Sequence, residues 1–268
     1  MKHSKGNVRA GIALITGASG GLGLEFAKMF AEEGHDLILV ARSGDKLNHV
    51  CAELRSSFGV EATSYVVDLS APEQLEQFVQ DIAGIRIDYL VNNAGFGDTG
   101  YFYLRPWKLQ LEMINLNILA LSRITHHCAA GMVERGFGRI LNIASTGAFQ
   151  PSPFFNVYAA TKAYVLSFTE ALQVELRGTG VTATVSCPGP TETGFHARAG
   201  SYRSRIMNMG LMSGERVAKK AYRAMMKGQS LVLHGLRNAL MAFSIRLTPR
   251  SIAPKAAHYF MKYNDDAQ

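Results

Sequence analysis

What this sequence has little of narrows it first. Its 268 residues include three cysteines, Cys51, Cys128 and Cys187, which are far apart, odd in number and without metal-ligand spacing. A disulfide framework and a cysteine metal cluster are therefore not expected, and the pattern fits a reduced, cytoplasmic protein. No uninterrupted apolar run approaches the ~18 residues that a membrane-spanning helix requires, so no such helix is expected. Lys2 and Lys5 ahead of Gly11-Ile12-Ala13-Leu14-Ile15 have the order of a signal peptide. Five apolar residues running into glycines are too few, however, and a buried first strand explains them better. Charged residues reach only 18% against 47% apolar, which excludes a disordered chain. At this length one large α/β domain fits as well as two small ones.

Acid is scarce in one particular place. The segment from Arg198 to Lys262 holds 13 of the 28 Lys and Arg residues but one of the 21 acids, Glu215, so it carries +12 and the remainder −5. A solvated surface, an acidic substrate carrier, a phosphate-bearing cofactor or an anionic membrane would each suit that bias. Nucleic acid is not expected as a partner, because no recognised binding motif accompanies the charge.

In order, the chain alternates strand-like and helix-like stretches. Residues 11 to 15 meet Thr16-Gly17-Ala18-Ser19-Gly20-Gly21-Leu22-Gly23, after which Leu24, Ala27, Met29 and Phe30 recur at helical spacing. Strand, glycine turn and helix start form the context of a dinucleotide site: glycines admit a pyrophosphate closely, and free amides at a helix start favour its charge. The second strand, Asp36 to Val40, leads to Ala41-Arg42. An acid near this strand end would suit the ribose of NAD, whereas Arg42 suits a 2′-phosphate or is a plain surface charge. Tyr65 to Leu69 reads as a third strand carrying Asp68 at its end, to bind an adenine amine or to cap the helix from about Pro72 to Ala83.

Asp88 to Val91 reads as a fourth strand ending in Asn92-Asn93-Ala94-Gly95, and a long helix holds Asn117, a polar residue in an apolar stretch. His126 and His127 lack ligand spacing, and no metal is assigned. The fifth strand, Gly138 to Ser145, ends in a hydroxyl; the sixth, Val181 to Ser186, ends at Cys187-Pro188-Gly189-Pro190-Thr191-Glu192-Thr193; the seventh is Ser230 to His234. Alternation without linker or repeat predicts a single doubly wound domain of Rossmann type, an α/β seven-stranded parallel sheet with helices on both faces.

Tyr158 and Lys162 lie four residues apart in a stretch free of Pro and Gly, so a helix places them on one face. Unit charges roughly 4 Å apart at an effective dielectric of ~20 interact by about 4 kcal/mol, a ceiling of about three pKa units for a phenol beside an ammonium. A tyrosine so placed exchanges protons near neutral pH. A packed tyrosine beside a solvated lysine would leave the same short pattern.

Four signatures in order, TGASGGLG at 16–23, NNAG at 92–95, Ser145 with Tyr158 and Lys162, and PGPTET at 188–193, resemble the classical short-chain dehydrogenase/reductase family and its ketoacyl-reductase-like branch, from about residue 10 to 235. That resemblance implies Tyr158 as general acid or base, Lys162 lowering its pKa and binding the nicotinamide ribose, Ser145 on the substrate oxygen, and Asn117 holding a water of the proton relay. It implies NADP(H) as cofactor, with Gly17, Ser19, Gly21, Leu22 and Gly23 at the pyrophosphate, Arg42 at the 2′-phosphate, and Asp68 and Leu69 at adenine. Asn93, Ala94 and Gly95 would line the ribose, with Pro188, Gly189 and Thr193 beside the nicotinamide.

The implied reaction is NADPH-dependent reduction of a carbonyl, a ketone or 3-oxoacyl group, to a secondary alcohol; the reading from a different class is a non-catalytic NADP(H)-binding redox sensor. The catalytic domain would span 1–235 with a substrate lid over 194–212, where Met207, Met209 and Met212 with Arg198, Arg203 and Arg205 suit an apolar carbonyl bearing an anionic handle, such as an acyl thioester. Residues 236–268 would form a basic amphipathic extension packed on the same domain, with Leu236, Leu240, Phe243 and Leu247 at helical spacing. The family's habit of forming homodimers and homotetramers favours a second subunit as the partner of that stripe, with an anionic membrane as the alternative.

Overall fold

The computed structural model describes residues 11–195, 199–200 and 210–261. Short β-branched runs become strands buried on both faces, and the one-sided apolar segments between them become helices that cover the sheet. The first half runs β1 (Ile12–Thr16), α1 (Gly21–Glu32), β2 (Asp36–Ala41), α2 (Gly44–Phe58), β3 (Ala62–Val66), α3 (Pro72–Asp81) and β4 (Tyr89–Asn92). A 3-10 turn (Phe102–Leu104) then precedes α4 (Trp107–Ile114), a π-helical stretch (Asn115–Ala120) and α5 (Leu121–Glu134). The remainder is β5 (Gly138–Ile143), a 3-10 turn (Thr146–Phe149), α6 (Asn156–Glu175), β6 (Val181–Cys187), α7 (Gly214–Met226), β7 (Leu231–Leu233), α8 (Leu236–Leu247) and α9 (Ala253–Met261).

The seven strands lie in the order β3-β2-β1-β4-β5-β6-β7, every pairing parallel, as expected of a doubly wound Rossmann-type sheet. Alternate residues of each strand feed opposite cores. Ala13 and Ile15 join Phe26, Phe30 and Leu54 on one face, while Leu14 joins Phe78, Met113 and Ile140 on the other. Strand order reverses direction between β1 and β4, which opens a crevice at the carboxyl edge of the sheet.

Some expected boundaries move. The third strand starts at Ala62 and stops at Val66, because its ladder with β2 runs from Leu37↔Ala62 to Ala41↔Val66 and β2 ends there. Asp68 and Leu69 thus sit in the following loop. Asp68 does not cap α3, whose start has no side-chain cap; it accepts hydrogen bonds from the Ser70 amide (3.0 Å) and hydroxyl (2.6 Å) instead. The long helix through Asn117 is interrupted: Asn115–Ala120 widens to π geometry between α4 and α5.

Beyond β7, α8 turns Ala242 inward, and Ala253 and Ala257 of α9 are buried, while Leu236, Leu240, Phe243 and Leu247 all face out. No described helix is long and apolar enough to cross a membrane. Of the lid expected over 194–212, residues 194–195, 199–200 and 210–212 are described, and Ala199 O accepts from Thr99 N at 3.1 Å. The lid's far end is held to the segment before it by a Thr191↔Met212 bridge and by hydrogen bonds Glu192 N to Met212 O and Met212 N to Pro190 O, both 2.8 Å. Arg198, Arg203, Arg205, Met207 and Met209 lie outside the described residues, as do residues 1–10 and 262–268.

Candidate active site

A cavity of about 640 Å³ runs along the carboxyl edge of the sheet across the point where strand order reverses. The turn after β1 forms its floor. Gly17 holds φ +69°, a left-handed conformation that a side chain would strain, and a Cβ there would lie 2.8 Å from Asn93 Nδ2. Thr16 Oγ1 accepts from the amides of Asn93 (3.1 Å) and Ala94 (3.0 Å), and Asn93 Nδ2 donates to Thr16 O (3.0 Å) and Gly17 O (3.2 Å). The two loops are thereby locked together across β1 and β4. Gly20 begins α1 with no side-chain cap, so amides of the first helical turn stay available to an anion. This cradle, with Ser19, Gly21 and Leu22 in its wall, fits the pyrophosphate of a dinucleotide.

Positive charge gathers where β2 ends. Arg42 and Lys46 both line the cavity, with Ser43 between them and Asp68 and Leu69 opposite. Arg42 Nη1 is 3.6 Å from Asp68 Oδ2, but both side chains are more than a third exposed, so this pairing is weak. Burial opposes ionisation of Asp68, but the two Ser70 hydrogen bonds and Arg42 outweigh it, and the carboxyl titrates below its usual range. Two cations are thus available for a phosphate at this end. Lys46 escaped the sequence reading because nothing in its local pattern separates it from a solvated helix charge.

At the other end, the turn after β5 delivers Ser145, two residues beyond the strand's end at Ile143, and α6 delivers Tyr158 and Lys162 to the same wall. Ser145 Oγ accepts from the Gly147 amide (3.1 Å), which fixes its rotamer. Lys162 Nζ donates to Ile143 O (2.7 Å) and lies 5.8 Å from the centre of the Tyr158 ring. The helix does bring the pair to one face, yet the phenol moves opposite to expectation. Burial pushes Tyr158 up to about 12, against the opposing hydrogen bond from Ser145. Burial also brings Lys162 down to about 8, against the opposing influence of the neighbouring Cys187. For both groups removal from water is the largest cause of the shift.

Of the residues singled out from sequence, Gly17, Ser19, Gly21, Leu22, Arg42, Asp68, Leu69, Asn93, Ala94, Gly95, Ser145, Tyr158, Lys162, Pro188, Gly189 and Thr193 all border the cavity. Gly23 and Asn117 do not. A Cβ on Gly23 would come within 2.2 Å of Gly17 O, so its smallness lets α1 pack against the turn. Asn117 is 1% exposed: Nδ2 donates to Phe96 O and Thr161 Oγ1, both at 3.0 Å, and Oδ1 accepts from Phe96 N at 3.2 Å. Its amide ties the loop after β4 to α6 from behind the wall.

Sequence reasoning missed the apolar end of the cavity. Phe155 stacks on Tyr158 with centroids 4.3 Å apart, and Phe195 lies 5.3 Å from the same ring. Met241 of α8 and Met261 of α9 close that end. These residues come from four separate segments, so no local pattern announces them. Among the described residues, no group of three or more His, Cys, Asp or Glu could hold a metal ion.

Comparison with known proteins agrees with this geometry. The chain is 38% identical over 199 residues to a candidate ketoacyl reductase of Streptomyces coelicolor, covering 73% of this chain and 76% of that one. It is 36% identical over 173 residues to the very-long-chain 3-oxoacyl-CoA reductase of Homo sapiens, covering 63% of this chain but only 55% of that protein's length. A short-chain dehydrogenase of Sphingobium yanoikuyae, solved in complex with NADPH, superposes with a TM-score of 0.80 at 32% identity, covering 88% of this chain and 93% of the other. The family model for short chain dehydrogenases matches residues 11–203, the stretch that carries the glycine turn, the Ser145 hydroxyl just after β5 and the Tyr158–Lys162 helix, and the chain is a member of that family.

Proposed function

We propose that this oxidoreductase uses NADPH to reduce an apolar ketone or 3-oxoacyl substrate to the secondary alcohol. One observation carries the reading: Ser145 and Tyr158 share a wall with apolar side chains at one end of a cavity whose other end holds Arg42 and Lys46. When bound, NADP(H) would supply or accept the hydride. Arg42 and Lys46 would hold a 2′-phosphate, which NAD lacks, and the uncapped start of α1 would face the pyrophosphate. The NADPH bound to the Sphingobium relative supports the same preference.

Ser145 Oγ donates a hydrogen bond to the substrate carbonyl and localises the charge that develops on its oxygen. Tyr158 gives that oxygen its phenolic proton. A phenol held at about 12 is protonated throughout the neutral range, which suits the reductive direction. Lys162, in its charged form, steadies the phenolate left behind. Phe155, Phe195, Met241 and Met261 exclude water from the reacting end and select an apolar substituent.

The test is NADPH oxidation by purified protein over 3-oxoacyl thioesters, ketosteroids and small diketones, with Tyr158→Phe in parallel. Turnover should fall roughly 100- to 10,000-fold in the variant while NADPH affinity holds, as expected for loss of a general acid. Tight NADPH binding with no turnover of any carbonyl would favour a redox-sensing role instead.

A further inference from the structure

The exposed apolar stripe of α8 has no partner among the described residues. At about 100° per residue, Leu236, Leu240, Phe243 and Leu247 fall within about 60° of one another, with Arg237 and Arg246 about 90° to either side. Leu236 is 77% and Leu247 73% exposed. The opposite side of the helix is satisfied by the protein: Ala242 is buried, Met241 lines the cavity, and Asn238 Nδ2 donates to His234 O at 2.6 Å. Ile252, Lys255 and Tyr259 are exposed on the segment that continues into α9.

A second apolar surface is joined to this one. Tyr101, Phe102, Tyr103, Leu104 and Trp107 are all exposed, Tyr103 at 78% and Trp107 at 62%. Their loop is held in place, since Arg105 donates to both oxygens of the buried Asp98 side chain (2.7 and 2.5 Å) and Gln110 Nε2 adds a third bond at 2.8 Å. Ring contacts run from Tyr101 to Phe154 (5.1 Å) and from Phe154 to His258 on α9 (5.0 Å). The loop and the C-terminal helices therefore border a common surface, and α8 and α9 also wall the cavity through Met241 and Met261.

We infer that this surface docks on an anionic lipid bilayer, with α8 lying in the interface and Tyr103 and Trp107 seated at headgroup depth. Charge decides between a membrane and a second copy of the chain. Residues 236 to 261, which carry the stripe and α9, contain Arg237, Arg246, Arg250 and Lys255 and no Asp or Glu. Two copies meeting through α8 would bring cation-flanked stripes together with no acid on either to pair them. Anionic headgroups complement the same arrangement: apolar side chains enter the acyl boundary, and Arg237 and Arg246 reach back to phosphate. Docking would set the cavity's apolar end beside the bilayer, so a substrate dissolved in lipid could enter with little passage through water. That last step rests on the reductase reading; the docking does not.

Trp107 is the single tryptophan of the chain, so its emission reports this surface directly. The experiment adds vesicles of phosphatidylcholine, or of phosphatidylcholine with an equal share of phosphatidylglycerol, to the full-length protein and reads Trp107 emission, flotation and, without lipid, sedimentation. Blue-shifted emission and flotation with the anionic vesicles at low salt, both weakening as salt rises, are expected. Leu240→Glu with Phe243→Glu should abolish both while leaving the melting temperature unchanged, and Arg246→Gln should lower partitioning about fivefold. Absence of flotation at low salt, or unchanged flotation in the stripe variant, overturns the proposal. A self-associated wild type that the stripe variant converts to monomer would also overturn it, in favour of a subunit interface.

Discussion

Tyr158 and Lys162 are buried in one wall, and burial favours the neutral form of each, raising the phenol's pKa and lowering the ammonium's. The consequence for rate follows from sign. The phenol keeps its proton to about 12, whereas Lys162 loses its charge as pH rises through about 8. Reductive kcat/KM should therefore hold below about pH 8 and fall above it, and the falling limb should vanish in Lys162→Met, a comparison that a pH series settles. Arg42 makes a separate prediction. Loss of a charge-assisted bond of about 1.5–3 kcal/mol weakens binding roughly 10- to 100-fold, so Arg42→Ala should raise KM for NADPH by that factor and leave KM for NADH nearly unchanged. At Gly23 the issue is space: Gly23→Ala places a methyl within 2.2 Å of Gly17 O. Overpacking of this kind costs about 1–3 kcal/mol, so calorimetry should show a lowered melting temperature together with weakened NADPH binding.

Elements are tied by bonds that no local pattern shows. Asn92 and Asn142 are register partners on β4 and β5, and Asn92 Nδ2 donates to Asn142 Oδ1 (2.9 Å) and to Thr125 Oγ1 on α5 (2.8 Å). Asn142 Nδ2 continues to Thr169 Oγ1 on α6 (3.0 Å), so one buried chain joins two strands and the helices on one side. Asn142→Leu would strand a buried amide hydrogen and should cost about 1–3 kcal/mol, read as a lowered urea midpoint. Asn142 drew no notice in the sequence because its partner Asn92 lies on β4, fifty residues earlier. The same holds for Thr16, whose hydroxyl locks the NNAG loop, and for Phe155 and Met241 in the cavity wall. What was legible, the glycine turn, the strand-helix alternation and the Tyr158–Lys162 spacing, is set within a few residues by backbone conformation and periodicity. The third strand ends earlier than its pattern indicates because Val67 and Leu69 keep the apolar spacing going after the partner strand has ended at Ala41.

For the molecule as a whole, acid should be the sensitive direction. His234, at the end of the sheet's last strand, is buried in a hydrogen bond with Ser186 Oγ (2.8 Å), and burial together with Lys220 lowers its pKa from 6.5 to about 4. The unfolded chain then binds the extra proton first, so stability is complete above about pH 6.5 and is lost as pH falls towards 4. At about 1.4 kcal/mol per unit the loss approaches about 3 kcal/mol, and His234→Asn should flatten this part of the pH–melting curve. Sheet order adds a consequence in time. β1 pairs with β4 through Ala13↔Tyr89, Leu14↔Leu90 and Ile15↔Val91, and the phosphate cradle is completed only when Asn93 reaches Thr16 and Gly17. During synthesis on the ribosome, the first three strands emerge while one edge of β1 still waits for its neighbour. Cofactor capture thus cannot precede the emergence of β4, and a nascent polypeptide halted before β4 has left the exit tunnel would expose an open strand edge and bind no nucleotide.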